Sequence, residues 1–474
     1  MKVTSLDNPV KVDWFFEQGF RLDPSPYLSG ALEARKRLEA LPNTVRLDSV
    51  TAGHNGGIFN GPKFSRLYLN DPEYSVPFLG STDMLEADFS YLPQLSKDTA
   101  AALPYLKVQP GMSLISCSGT IGRMAYVRPD MAGFWSSQDV IKVQADPGKI
   151  RSGYLYTFLR SGFGIPMIVS SAYGAIIQHI EPHHLVDLPV PRFDAHLEQR
   201  IHDLVEEAAH LRAAFQAGLN TATEDLFRSV GLPELIDYRW HDKGRDLGFS
   251  VEGVTSESLR AINFAGRALD LISRLMSVEH RTLGDVCESG ILRYGLIRKR
   301  IDGDSDAGGV KLVGQRQGWW TRPEDCRVIS PTHTPTDSVF VPDETVLVAG
   351  RGMPSESGLF GRAIMITGEW LAHAYSQDFF RVASGDDEVP GAYLMAFLRS
   401  KVALRIFRSM LNGSGPQMIH IGLVTRFPVP MADRTDRARI AETVRRAYRD
   451  RDRADVLDDE ALALLTQAIV GAEA

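Results

Sequence analysis

The phrase Ser-Gln-Asp stands at 137–139, inside SSQDVIKV (136–143), and again at 376–378, inside YSQDFFRV (375–382), 239 residues further along a chain of 474. A chance match would leave its surroundings unrelated, so the test is whether the offset recurs. It does. Gly122-Arg123 answers Gly361-Arg362, YLYTFLRS (154–161) answers YLMAFLRS (393–400), and LPVP (188–191) answers FPVP (427–430). His179-Ile180 pairs with His420-Ile421 at an offset of 241, and Leu47-Asp-Ser-Val50 with Leu283-Gly-Asp-Val286 at 236. Small drift about one offset is what loop insertions do to a duplicated domain. The chain is two copies of one unit.

Each copy closes on Pro-x-Pro and then turns polar and helix-forming. After the first, Leu197, Ile201, Leu204, Ala208, Leu211 and Phe215 alternate spacings of four and three, a heptad seam. The seam extends through Leu219, Ala222 and Leu226 until Gly231-Leu-Pro stops it. After the second come Ile440, Val444, Ala447, Arg451, Ala454, Leu457, Ala461, Leu464 and Ala468. An arginine in a seam must snorkel or mark a break. Two helices of about 30 residues, ~45 Å each, overhang a compact block. Burying both seams against each other, antiparallel, gives the chain pseudo-twofold symmetry.

Within the copies, strand-like runs (113–118, 140–144, 345–350, 379–382) alternate with helical ones (30–41, 153–161, 391–409) and Gly/Pro-rich connections such as HNGGIFNGP at 54–62. This is a mixed α/β pattern. No phosphate-loop or nucleophile-elbow motif occurs. The nearest nuclease-like string, Pro129-Asp130 before Asp139-Val-Ile-Lys142, has one residue too many before the lysine, and the second copy carries Arg381 there. That run reads better as a strand with an exposed polar edge. His179, Glu181, His183 and His184 lack a further ligand pair for a tetrahedral metal, so no metal is expected.

The net charge of −7 argues against a broadly basic nucleic-acid binder, but the surplus acid is local. Residues 196–240 carry 4 basic against 8 acidic side chains, whereas 1–195 carry 18 against 19 and 241–430 carry 22 against 22. Either large block is free to present a basic face. The amino terminus lacks a signal-peptide apolar run, and Cys117, Cys287 and Cys326 stand apart, which points to a reduced, cytoplasmic setting.

The order of these phrases (a Gly-Arg turn, an SQD strand, a YLxxFLRS helix, a Pro-x-Pro exit into a long helix, all twice) resembles the specificity subunit of a type I restriction–modification enzyme. RLDPSPYL at 21–28 and FSRLYLND at 64–71 resemble that family's first recognition domain. The resemblance implies a mixed α+β fold of two tandem, pseudo-symmetric target-recognition domains, 1–193 and 231–432. Two long helices, 194–230 and 433–474, pack between them as an antiparallel coiled coil. It implies a non-catalytic chain whose domains each read half of a split double-stranded DNA target, with helices setting the spacing. Partners would be two methyltransferase (modification) subunits and restriction/translocase subunits. S-adenosylmethionine, ATP and Mg would sit on those partners and no cofactor on this chain. The rival readings are a stand-alone metal-dependent nuclease and an adaptor of another phage-defence complex.

Base reading needs donors and acceptors on loops, bidentate Arg toward guanine and Asn or Gln toward adenine. Lys63, Arg66, Ser118, Thr120, Arg123, Tyr173 and Gln178 are the candidates in the first copy. Arg298, Lys299, Arg300, Gln315, Arg316, Gln317, Arg351, Arg362 and Gln417 are those in the second. The SQD phrase is common to both copies, and two domains reading different sequences should not share their readers. It is therefore assigned to the scaffold, its aspartates accepting hydrogen bonds from the Gly-Arg turn.

Overall fold

A computed structural model describes residues 10–17, 20, 24–173, 178–244, 248, 250, 257–296, 300–305, 308–331, 339–356 and 358–472. The chain divides into two compact units. The first is Met1–Ala213 with Arg453–Ala474, and the second is Ala214–Asp452.

The described strands of the first unit are β1 (Thr44–Arg46), β2 (Ile58–Phe59), β3 (Ser75–Leu79), β4 (Gln94–Ser96), β5 (Ser113–Ser116), β6 (Met124–Tyr126), β7 (Trp135–Ser136), β8 (Val140–Val143) and β9 (Pro189–Pro191). They form a four-stranded sheet β2-β8-β5-β6, a three-stranded sheet β4-β3-β7 and the pair β1-β9. β8 is buried at every residue because it is an inner strand, so the expected exposed polar edge is wrong. The helix Ser152–Arg160 is buried from Gly153 to Leu159, and Tyr154 donates to the carbonyl of Pro191 at 2.6 Å.

In the second unit the described strands are β10 (His280–Thr282), β11 (Ile291–Tyr294), β12 (Val310–Val313), β13 (Arg327–Ile329), β14 (Thr345–Ala349), β15 (Arg351–Gly352), β16 (Ala363–Ile366), β17 (Ala374–Tyr375), β18 (Phe379–Ala383), β19 (Leu411–Asn412), β20 (Gln417–Ile419) and β21 (Pro428–Pro430). Sheets β11-β18-β14-β16 and β13-β12-β17 and the pair β10-β21 repeat the first unit's order. Lys142 stands opposite Leu114, and Arg381 opposite Leu347. The offset is thus 233 at the β5/β14 strands and 239 at the Gly-Arg turn. The second unit therefore carries six more residues between Arg351 and Gly361. Gly122 and Gly361 both hold positive φ, 81° and 84°, which glycine adopts without strain.

The long helices run Ala195–Ser229 and Arg434–Gly471. Each starts at an aspartate three residues past the Pro-x-Pro. Asp194 accepts from the His196 and Leu197 amides at 3.0 Å, and Asp433 from the Asp436 amide at 2.8 Å. In the first unit Ile201, Leu204 and Ala208 share one core with Ala454, Leu457, Ala461, Leu465 and Ile469. Leu464 is only partly buried against this core, whereas Leu465 and Ile469 are fully buried in it, and Ala468 is not part of it. There too Arg212 meets Asp455 and Asp458 at 2.8 Å each, and Arg200 meets Glu460 at 2.7 Å, an antiparallel order. In the second unit Phe215 packs edge-on against Tyr448, and Arg439 pairs with Asp225, again antiparallel. Arg451 neither snorkels nor breaks the helix. It is 4% exposed, lies over the Trp370 and Tyr448 rings at 4.4 and 4.7 Å, and donates to the Thr367 carbonyl.

Candidate nucleic-acid interface

In the first unit the SQD turn lies across the end of β5. The Cys117 amide donates to the Asp139 carbonyl at 3.0 Å, and the Cys117 thiol to that of Gln138 at 3.4 Å. Lys142 braces the turn from below. Wholly buried over the Phe59 ring, it donates to the carbonyls of Val140 at 3.0 Å and Ser137 at 3.5 Å. Burial pulls its pKa down to about 7.

The turn's polar side chains face the loops. Arg66 donates to Gln138 Oε1 at 2.6 Å and lies 3.6 Å from Asp139, its guanidinium over the rings of Phe64 and Phe78. The segment after β5 is tied to 173–179. Ser118 bridges to His179, Gly119 N donates to Gln178 O at 3.1 Å, and Tyr173 bridges to His179 while donating to Glu181. Arg66, Ser118, Tyr173 and Gln178 therefore gather at one end of the four-stranded sheet. Thr120 and Arg123 occupy a tight turn whose backbone is held by Ser116 Oγ, which donates to Thr120 O and accepts from Arg123 N. Lys63 is exposed in the segment that carries Arg66.

The second unit repeats the frame with other side chains. Gly350 N donates to Asp378 O at 3.1 Å, as Cys117 does to Asp139. Arg381, 1% exposed, takes the place of Lys142 and donates to the Tyr375 and Phe340 carbonyls at 3.4 Å. Asp378 meets Arg351 at 3.6 Å. Gln315 grips the Arg351 backbone at both ends, donating to its carbonyl at 2.9 Å and accepting from its amide at 3.4 Å. Tyr294, whose ring lies 6.0 Å from the Arg351 guanidinium, donates to the Gly350 carbonyl at 2.7 Å.

Gln417 lies opposite Gly352 across β15 and β20. Its Oε1, Gln377 Oε1 and Arg351 Nε are buried without a hydrogen-bond partner among the described residues. Arg300 is half-buried, so desolvation lowers its pKa, while the charge of Asp378 works the other way. Arg351 and Arg300 thus both act on Asp378, while Gln315 and Gln417 flank the Arg351–Gly352 strand. Arg316 is exposed on the short helix Gln315–Gly318, and Gln317 reaches the Asp325 carbonyl at 3.5 Å. Arg362 is 4% exposed, its loop folding inward against the helix Lys401–Ser409. Arg298 and Lys299 lie outside the described residues.

One expectation is corrected here. The SQD aspartates lie 3.6 Å from Arg66 and Arg351, two arginines outside the Gly-Arg turn to which they were assigned. Gln138 and Gln377, set aside with the scaffold, belong to the same polar edge. Among the described residues no three His, Cys, Asp or Glu side chains converge as metal ligands, and no helix is long and apolar enough to cross a membrane. Burial raises Cys117 and Cys287 to about 12 and Cys326 to about 11.

No protein-family profile matches the chain, and no curated protein matches it significantly. Solved structures do. The structural neighbours are type I restriction–modification S subunits. The S subunit of the type I system from M. genitalium is 12% identical, over 92% of this chain and 96% of that one, with a TM-score of 0.37. The HsdS subunit from Thermoanaerobacter tengcongensis is 13% identical over 91% and 98%, with a TM-score of 0.26. A chain from a study of complex assembly and conformational transition in the type I system is 14% identical over 90% and 98%, with a TM-score of 0.25.

Proposed function

We propose that this chain is the DNA sequence-specificity subunit of a type I restriction–modification complex and performs no catalysis itself. Each unit would read one half of a split target, the long helices setting the spacing and docking two methyltransferase subunits. Restriction/translocase subunits would join that assembly. S-adenosylmethionine, ATP and Mg would be handled by the partners. One observation carries the reading. Two units share a frame down to single hydrogen bonds, such as Tyr154 to Pro191 and Tyr393 to Pro430, yet bring different polar side chains to the same sheet end. A common frame with divergent donors and acceptors is what reading two different sequences requires.

The test is selection of duplexes from a randomised library by the full chain, alone and with its modification subunits. Enrichment of a split, asymmetric motif supports the proposal. A continuous palindrome, or no enrichment in either form, would sink it. Cleavage of DNA by the purified chain with Mg alone would favour the nuclease reading instead.

A further inference from the structure

Arg66 and Arg351 do not occupy matching positions in the repeat. Arg66 precedes β3 in the first unit, whereas Arg351 begins β15, after the strand equivalent to β5. The residue matching Arg351 in the first unit is Ser118, since each follows the residue whose amide bonds the SQD carbonyl. Even so, both arginines arrive at one place. Each lies 3.6 Å from its SQD aspartate, Arg66 from Asp139 and Arg351 from Asp378. The arginine side chains are 28% and 26% exposed and the aspartates 34% and 33%. Each guanidinium lies within reach of aromatic rings, Phe64 and Phe78 or Tyr294. Unrelated segments have delivered the same side chain to the same carboxylate.

We infer that Arg66 and Arg351 are the guanine-reading residues of the first and second units, each aimed by its SQD aspartate. This rests on the DNA-reading function proposed above. A guanidinium has donors only, and guanine is the base whose major-groove edge presents two acceptors side by side. The aspartate argues against a phosphate contact. A carboxylate beside the guanidinium offsets its charge and repels a phosphate, which weakens backbone binding. At a neutral base edge that penalty is absent, and the carboxylate's charge draws the guanidinium toward it across 3.6 Å. The backbone grip of Gln315 on Arg351 and the bond from Arg66 to Gln138 serve the same end. Asp139 and Asp378 are thus positioning residues, which changes the role of the SQD phrase from passive scaffold to arginine holder.

The experiment is the same library selection with the full chain carrying R66A, R351A, R351K, D139N or D378N. R351A and R351K should each lose about tenfold to a hundredfold preference for guanine at one base pair of one half-motif. R66A should do so at one base pair of the other half. In each case the untouched half reports that the protein is folded. D139N and D378N should relax the same base pairs as their arginines, without creating a new preference. Three outcomes overturn the inference while leaving the proposed function standing: an unchanged split motif, both arginines affecting one half, or a uniform loss of affinity with a shallower salt dependence, the mark of a phosphate contact. A wild-type chain that enriches no sequence overturns the proposed function itself, and the inference with it.

Discussion

Tyr154 donates its hydroxyl hydrogen to the carbonyl of Pro191 at 2.6 Å, tying a helix buried from Gly153 to Leu159 to the strand that leads into the long helix. Tyr393 does the same to Pro430 at 2.8 Å and accepts from the Ala432 amide at 3.0 Å. Phenylalanine at either place leaves a buried carbonyl unpaired, at a cost of about 1–3 kcal/mol. Y154F and Y393F should each lower stability by that order in denaturant titration. The two losses should add, because the residues belong to different units.

Lys142 predicts a pH dependence. Its pKa is lowered from 10.5 to about 7 by burial. Below pH 7 both folded and unfolded chains hold the proton, and the full cost of burying the charge is present. As pH climbs from 7 toward 10.5 the folded chain is the first to release it, so the unfolded state binds more protons and stability rises. The first unit should therefore gain stability relative to a K142M variant between pH 7 and about 10. A difference between the two proteins that stays flat across that window would remove this account.

Arg212 holds two carboxylates in the helix pair of the first unit. Its side chain is 10% exposed, and Asp458, which also meets Arg160 at 3.2 Å, is 3% exposed. Burial pulls the arginine's pKa down, but Asp458 and Asp455 more than offset it, and the pKa is raised. Removing one partner of a buried ion cluster leaves uncompensated charge, worth about 3–5 kcal/mol. R212A should destabilise by that order, and added salt should not restore it. A cost within about 0.5 kcal/mol of zero would mean the cluster is solvated like a surface pair.

Gly218 marks where the long helices touch in the second unit. A Cβ there would lie 3.0 Å from that of Ala447. Glycine inside a helix costs about 0.5–1 kcal/mol relative to alanine, so G218A should be nearly neutral as propensity and crowding offset each other. G218L should cost about 1–3 kcal/mol through overpacking. Thermal unfolding of both variants separates the two effects.

Much of the frame was legible because its marks are local and doubled. The YLxxFLRS helix, the Pro-x-Pro strand and the Gly-Arg turn each depend on a few adjacent residues, and the second copy checks the first. The aspartates after PVPRF and PVPMA were equally readable as helix starts. Arg451 was not readable as a buried residue, because the rings that shelter it are Trp370, 81 positions away, and Tyr448 on its own helix. Likewise the deeper burial of Leu465 than of Leu464 depends on what that face packs against.

Sequence alone therefore determined the duplication, the mixed fold and the two long helices, since periodicity and repetition act along the chain. Which arginine faces each SQD aspartate was decided only in three dimensions. Arg66 lies 73 residues before Asp139, and Arg351 lies 27 before Asp378. No common spacing links the two pairs. The frame brings different loops to the same carboxylate, so their equivalence exists in space and nowhere in the register of the repeat.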